Sequence, residues 1–151
     1  MELHANEVMD ACKKFTCNCK LIESMKADTI RLEIERRFAR QANDLPLWER
    51  LHSDSSIFNR NGWRLINAFT RSRAILMFFE YKEDKSVVEI QNSAHITEIL
   101  EECTGFTFYI TNETVDFLLC FNDHDFLIGT GSAQEWLHTL SHSEVSGTDI
   151  Y

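Results

Sequence analysis

From Arg73 to Thr130 the chain alternates short apolar runs with polar turns, and nothing else in it constrains the fold as much. Residues 73–81 contain the unbroken apolar run from Ala74 to Phe79, which predicts a strand buried on both faces. Lys82-Glu83-Asp84-Lys85 reads as a turn of about four residues, and 86–91 returns with Val87, Val88 and Ile90 to close a hairpin. Ser93 is placed to cap a helix over 94–103 that buries Ile96, Ile99, Leu100 and Cys103, with Gly105 just past its end. Strands are then expected at 106–111, 115–121 and 125–130, separated by Thr111-Asn112-Glu113 and Asn122-Asp123-His124. Ser132-Ala133-Gln134-Glu135 has the form of a capping box and opens a helix to about Leu140, with Trp136, Leu137 and Leu140 inward. The polar residues 141–151 read as a frayed tail.

Before residue 73 the pattern is helical. Val8, Met9, Cys12 and Phe15 share one face of a helix over 6–20, and Ile30, Ile34 and Phe38 one face of a helix over 26–42. Ile30-x-Leu32-x-Ile34 also fits a strand, but the charged, helix-favouring residues that follow decide for helix. Asp44-Leu45-Pro46 starts a further helix carrying Leu47, Trp48 and Leu51 inward, and Trp63 to Ile66 follows the Asn61-Gly62 turn as a strand. The expected architecture is α+β in a single domain over 1–151. N-terminal helices precede ββαβββα, a mostly antiparallel sheet with helices packed on one face.

Charge is split unevenly. Residues 1–85 hold fifteen Lys and Arg against thirteen Asp and Glu, whereas 86–151 hold eleven carboxylates and no Lys or Arg. The halves carry +2 and −11, for a net charge of −9. One-sided charge repels itself in a compact state. It also opposes nucleic-acid phosphates and anionic membranes, so neither is an expected partner. The apolar run of six is far short of the ~20 residues of a spanning helix, and the first residues form no secretory signal, so a cytoplasmic location is expected.

No motif specifies a reaction. Cys12, Cys17 and Cys19 form C-x4-C-x-C, which does not match zinc-ligand pairing, and five reduced thiols are expected. His138 and His142 stand at i, i+4 near a helix C-terminus, where imidazolium suits the helix dipole; two imidazoles do not complete a metal site. No metal and no cofactor is expected. Asn122-Asp123-His124-Asp125 sets a histidine among carboxylates, yet the same residues are good turn formers. Gly129-Thr130-Gly131-Ser132 lies between a strand and a helix but lacks a phosphate-loop lysine. The arginines from Arg31 to Arg73 are interleaved with acids, which favours ion pairing over a nucleic-acid stripe, and Trp48, Trp63 and Trp136 read as core.

Leu45-Pro46-Leu47-Trp48, then Asn61-Gly62, then strands, then Ala133-x-x-Trp136-Leu137 resembles the bacterial SUKH group over residues 30–140. That group is named for a yeast cell-wall-synthesis regulator and its relatives, many of them predicted immunity proteins of polymorphic toxin systems. The resemblance implies a non-enzymatic α+β domain that binds and neutralises a toxin. The charge asymmetry points the same way, towards a basic protein partner such as a nuclease domain. Glu98, Glu101, Glu102, Glu113, Asp116, Asp123, His124 and Asp125 are the expected contact residues, with no catalytic residue among them. The competing reading of the acidic half is a merely solubilising surface, and a small enzyme or a regulatory or structural subunit is the alternative function. A deep pocket with convergent titratable groups would favour the enzyme.

Overall fold

The computed structural model describes residues 3–41, 44–103 and 105–145, with side chains as far as Ser141. Helix α1 (Leu3–Lys14) buries Ala5, Val8, Ala11 and Cys12 along one stripe. Asp84 caps its start, where the Ala5 N–H donates to Oδ2 at 3.0 Å. The helix ends where Thr16 takes φ 53° and the Cys17 N–H closes on the Cys12 carbonyl at 2.8 Å. The chain then extends as β1 (Cys19–Ile22) and turns into α2 (Ser24–Phe38), whose Ala27, Ile30, Ile34 and Phe38 face inward.

A 3-10 turn (Leu47–Glu49) follows Pro46 and leads to β2 (Ser55–Phe58). A second 3-10 turn (Gly62–Leu65) runs into the short α3 (Ile66–Thr70). Then come β3 (Ile75–Phe79), β4 (Val87–Ile90), α4 (Ile96–Glu101), β5 (Phe108–Thr111), β6 (Phe117–Phe121), β7 (Phe126–Gly131) and α5 (Ser132–Val145). The seven strands among the described residues join one antiparallel sheet of order β1-β4-β3-β5-β6-β7-β2. From β3 onward the order is the expected ββαβββα.

The sheet is covered on both sides. Ile75, Met77, Phe79, Ile110, Leu119 and Leu127 face a first layer that also holds Val8 of α1, Ile66 of α3, Ile99 of α4 and Leu137 of α5. Leu76, Phe78, Tyr109, Leu118 and Ile128 face a second layer made by α2 and the Leu47 turn. The expectation of helices on one face is therefore corrected: among the described residues α2 and the Leu47 turn cover the other. The two-sided burial of β3 required such a cover, and all five of its residues are buried.

Other differences are local. Residues 19–22 and 55–58 are edge strands that bury one residue each, so their sequences carry little apolar pattern. Trp63 to Ile66 is helical, because Ile66 and Phe69 turn together onto the first layer. The cap before α4 is Asn92, which accepts the Ala94 N–H at 2.9 Å, and Ser93 is buried behind it. The three tryptophans are partly buried at the edges of the two layers. Helix α5 continues past Leu140 to Val145, and the last residues of the expected tail, 146–151, lie outside the described residues.

Candidate functional site

Between α2, the Leu47 turn and the β3–β4 loop, the second layer leaves a cleft of about 730 Å³. Its floor is sheet: Phe78 and Tyr109 stack with centroids 5.0 Å apart. The Tyr109 hydroxyl donates to a carboxylate oxygen of Glu80 and accepts the backbone N–H of Trp48 at 3.2 Å. One phenol thus ties the Trp48 turn to the end of β3. Burial lifts the Glu80 carboxyl above its ordinary range, against the pull of the Tyr109 hydrogen bond and of Arg31 and Arg50. Burial also raises the Tyr109 phenol, so it stays protonated.

Two arginines wall the cleft, and both are committed to the fold. Arg31 packs its guanidinium 5.0 Å from the Phe78 centroid and 5.2 Å from that of Tyr81. Its terminal nitrogens donate to the Phe79 and Asp84 carbonyls, each at 3.0 Å. Arg50, with only 12% of its side chain exposed, pairs with Glu35 at 3.4 Å and donates to the Leu45 and Arg40 carbonyls. Lys82 is the remaining cation among the described lining residues. Six carboxylates line the same space: Glu35, Asp44, Glu49, Glu80, Glu83 and Asp123. Trp48, Tyr81 and His124 complete it, with the Trp48 and His124 rings edge-on at 5.9 Å.

The expected contact residues do not converge. Antiparallel connections alternate ends, so the β5–β6 turn with Glu113 and Asp116 and the β6–β7 turn with Asp123, His124 and Asp125 lie at opposite ends of the sheet. Helix α4 belongs to the first layer, away from the cleft. There Glu101 pairs with Arg64 at 2.7 Å, Glu102 with Lys14 at 2.8 Å, and Glu98 lies 3.9 Å from His95. Only Asp123 and His124 of the eight line the cleft. The Asn122 side chain accepts the His124 and Phe126 N–H groups at 3.0 Å, the turn chemistry its sequence predicts. In the other turn, hydrogen bonds from Thr114 and Asn112 hold the Asp116 carboxyl below its ordinary range.

The remaining motifs resolve into structure. Gly131 has φ +65°, and a Cβ there would meet the Asp116 carbonyl at 2.4 Å; that carbonyl already accepts the Ser132 N–H at the start of α5. A Cβ on Gly129 would meet Leu137 at 2.8 Å, so this glycine serves close packing of α5 on β7. Arg36 and Arg37 pair with Glu33, which they draw down to about 2. Cys12, Cys17, Cys19 and Cys103 gather in or against the first layer as free thiols, and burial pushes Cys103 up to about 12. Among the described residues no three His, Cys, Asp or Glu are grouped to hold a metal, and no helix is long and apolar enough to cross a membrane. The His142 side chain lies outside the described residues.

Sequence reasoning missed Glu80, Tyr109, Trp48, Arg31 and Arg50. Tyr109 and Trp48 look like ordinary core aromatics, and the arginines like part of an ion-paired helix surface. The one available signal was Glu80 itself, a carboxylate directly after a run buried on both sides. Compared with known proteins, the chain matches no family model, no curated protein and no solved structure.

Proposed function

We propose that this protein is a binding module for a basic protein, of the kind represented by immunity proteins that neutralise a toxin domain such as a nuclease. The observation that carries the reading is the charge of the cleft. Six carboxylates face three cations, and the two arginines are held by backbone carbonyls, ring faces and Glu35. The unmatched charge is negative and borders aromatic rings, a setting suited to a lysine or arginine side chain. Aromatic groups beside charged ones are also what concentrates binding energy in protein interfaces.

The raised Glu80 carboxyl in a cleft favours a second reading, a small enzyme with Glu80 as acid. Against it, Glu80 is engaged by Tyr109, whose hydroxyl also accepts from Trp48, a closed arrangement that positions a turn. The test is capture of partners from the native host with the tagged full chain, followed by association kinetics with the captured protein. Asp123→Asn with Glu49→Gln should lower the on-rate roughly tenfold at low salt, with the difference vanishing near 0.5 M salt. Capture of acidic proteins only, or an on-rate unchanged at low salt, would sink the reading.

A further inference from the structure

Beside the cleft lies an apolar feature that the fold itself does not use. Phe58 of β2 and Phe126 of β7 are register partners, with rings 5.3 Å apart at 62°. They are 63% and 37% exposed. Their strand neighbours Ile57 and Leu127 point into the first layer, so both rings stand on the second face, the side of Trp48 and the cleft. The β6–β7 turn joins the two features: His124, edge-on to Trp48, is two residues from Phe126. Leu45 and Tyr81, 38% and 48% exposed, line the cleft. With Phe58 and Phe126 they are four of the seven large apolar residues exposed among those described. Single exposed apolar residues are ordinary, whereas two exposed rings in contact, on the same face as a cleft lined by charge, suit an interaction site.

We infer that the acidic cleft and the Phe58–Phe126 pair form one composite docking surface, which takes a segment of a basic partner where a lysine or arginine is flanked by an apolar side chain. The cation enters the cleft beside Trp48 and the carboxylates of Asp123 and Glu49. The apolar neighbour covers Phe58 and Phe126. Charge selects this occupant. A second copy would set Asp123 and Asp125 against their own kind on a chain of net charge −9, and an anionic polymer would meet the same carboxylates. This inference rests on the protein-binding reading and adds the chemistry that the partner must present.

The test uses the isotope-labelled full chain and three capped pentapeptides, each with one central residue between two flanking ones. They carry arginine between leucines, citrulline between leucines, and arginine between glycines. Amide and indole N–H shifts report where each binds. The arginine–leucine peptide should move the signals of Trp48, His124, Phe126 and Phe58 together. Loss of the charge or of the leucines should each weaken binding roughly tenfold. Phe58→Ala, at an exposed edge position whose amide spectrum monitors folding, should weaken only the leucine-containing peptides. Shifts confined to the cleft, equal for both arginine peptides, would overturn the composite surface, as would shifts scattered over the acidic faces or none at all. The result separates from that of the functional reading. If the peptides bind as stated and no basic partner is captured, the functional reading fails and the surface stands. If a partner is captured and its binding ignores Phe58→Ala, the composite surface is what fails.

Discussion

Tyr109 and Glu80 form one hydrogen-bonded unit that also holds the Trp48 turn. A phenol with a buried ring and a carboxylate at a strand end meet because β3 and β5 are neighbours, with Phe78 in register with Tyr109. The hydroxyl satisfies both Glu80 and the Trp48 N–H, and an unmade hydrogen bond at a buried group costs about 1–3 kcal/mol. Burial makes the Glu80 charge itself unfavourable. Its carboxyl binds a proton more tightly folded than unfolded. Its contribution to stability is therefore whole below the ordinary carboxylate range and is lost as pH rises through the raised folded value. Glu80→Gln keeps an acceptor for Tyr109 and removes the titration. The variant should gain on the wild type as pH rises from the acid range to neutrality, read as the difference in urea midpoint. Parallel midpoints across that range would show that Glu80 does not titrate as its burial requires. Glu33 works with the opposite sign: held low by Arg36 and Arg37, its contribution is present above the ordinary value of 4.5 and is lost as pH falls towards about 2.

At the scale of elements, the start of α4 separates what sequence spacing can locate from what geometry decides. Both Asn92 and Ser93 are good caps by type. In the fold the Asn92 side chain accepts the Ala94 N–H, while the Ser93 hydroxyl is buried with no hydrogen-bond partner among the described residues. Asn92→Ala should therefore cost about 1 kcal/mol. Ser93→Ala should be neutral or stabilising, because it removes an unsatisfied buried hydroxyl. Urea unfolding of the two variants checks this, and the reverse ranking would return the cap to Ser93. The same distinction explains how much of the fold was legible. Strands β3 to β7 and helices α2, α4 and α5 were readable because apolar residues dominate each strand or recur at helical spacing. The edge strands β1 and β2 were not, since pairing with β4 and β7, rather than their own pattern, makes them strands. The second helical layer was legible only indirectly. Ala74 to Phe79, read as buried on both faces, already contradicted helices on one side. Little of the site could be read, because Glu80, Tyr109, Arg31 and Trp48 are brought together by sheet order and by the path of the Leu47 turn.

For the whole molecule, folding redistributes the charge that the sequence separates. Lys14, Lys20 and Arg64 from the first half meet Glu102, Glu89 and Glu101 from the second, at 2.8, 3.4 and 2.7 Å. The absence of cations after Lys85 is thus answered partly within the chain. Exposed pairs of this kind are individually worth about 0–1 kcal/mol. Lys14 and Arg64 are 61% and 47% exposed, so their direct bonds to Glu102 and Glu101 add little. Their larger effect is to moderate the repulsion of a chain at −9, which acts over about 30 Å in 0.01 M salt but only about 10 Å in 0.1 M. Lys14→Met with Arg64→Met removes two positive charges and deepens that repulsion. In urea unfolding the double variant should be clearly less stable than the wild type at low salt, and the gap should narrow to within about 1 kcal/mol as salt screens the repulsion. The wild type should itself gain stability over the same range. A loss of wild-type stability with added salt would mean that attractive pairs outweigh repulsion in the folded chain, and the account of its acidic half as self-repelling would fall.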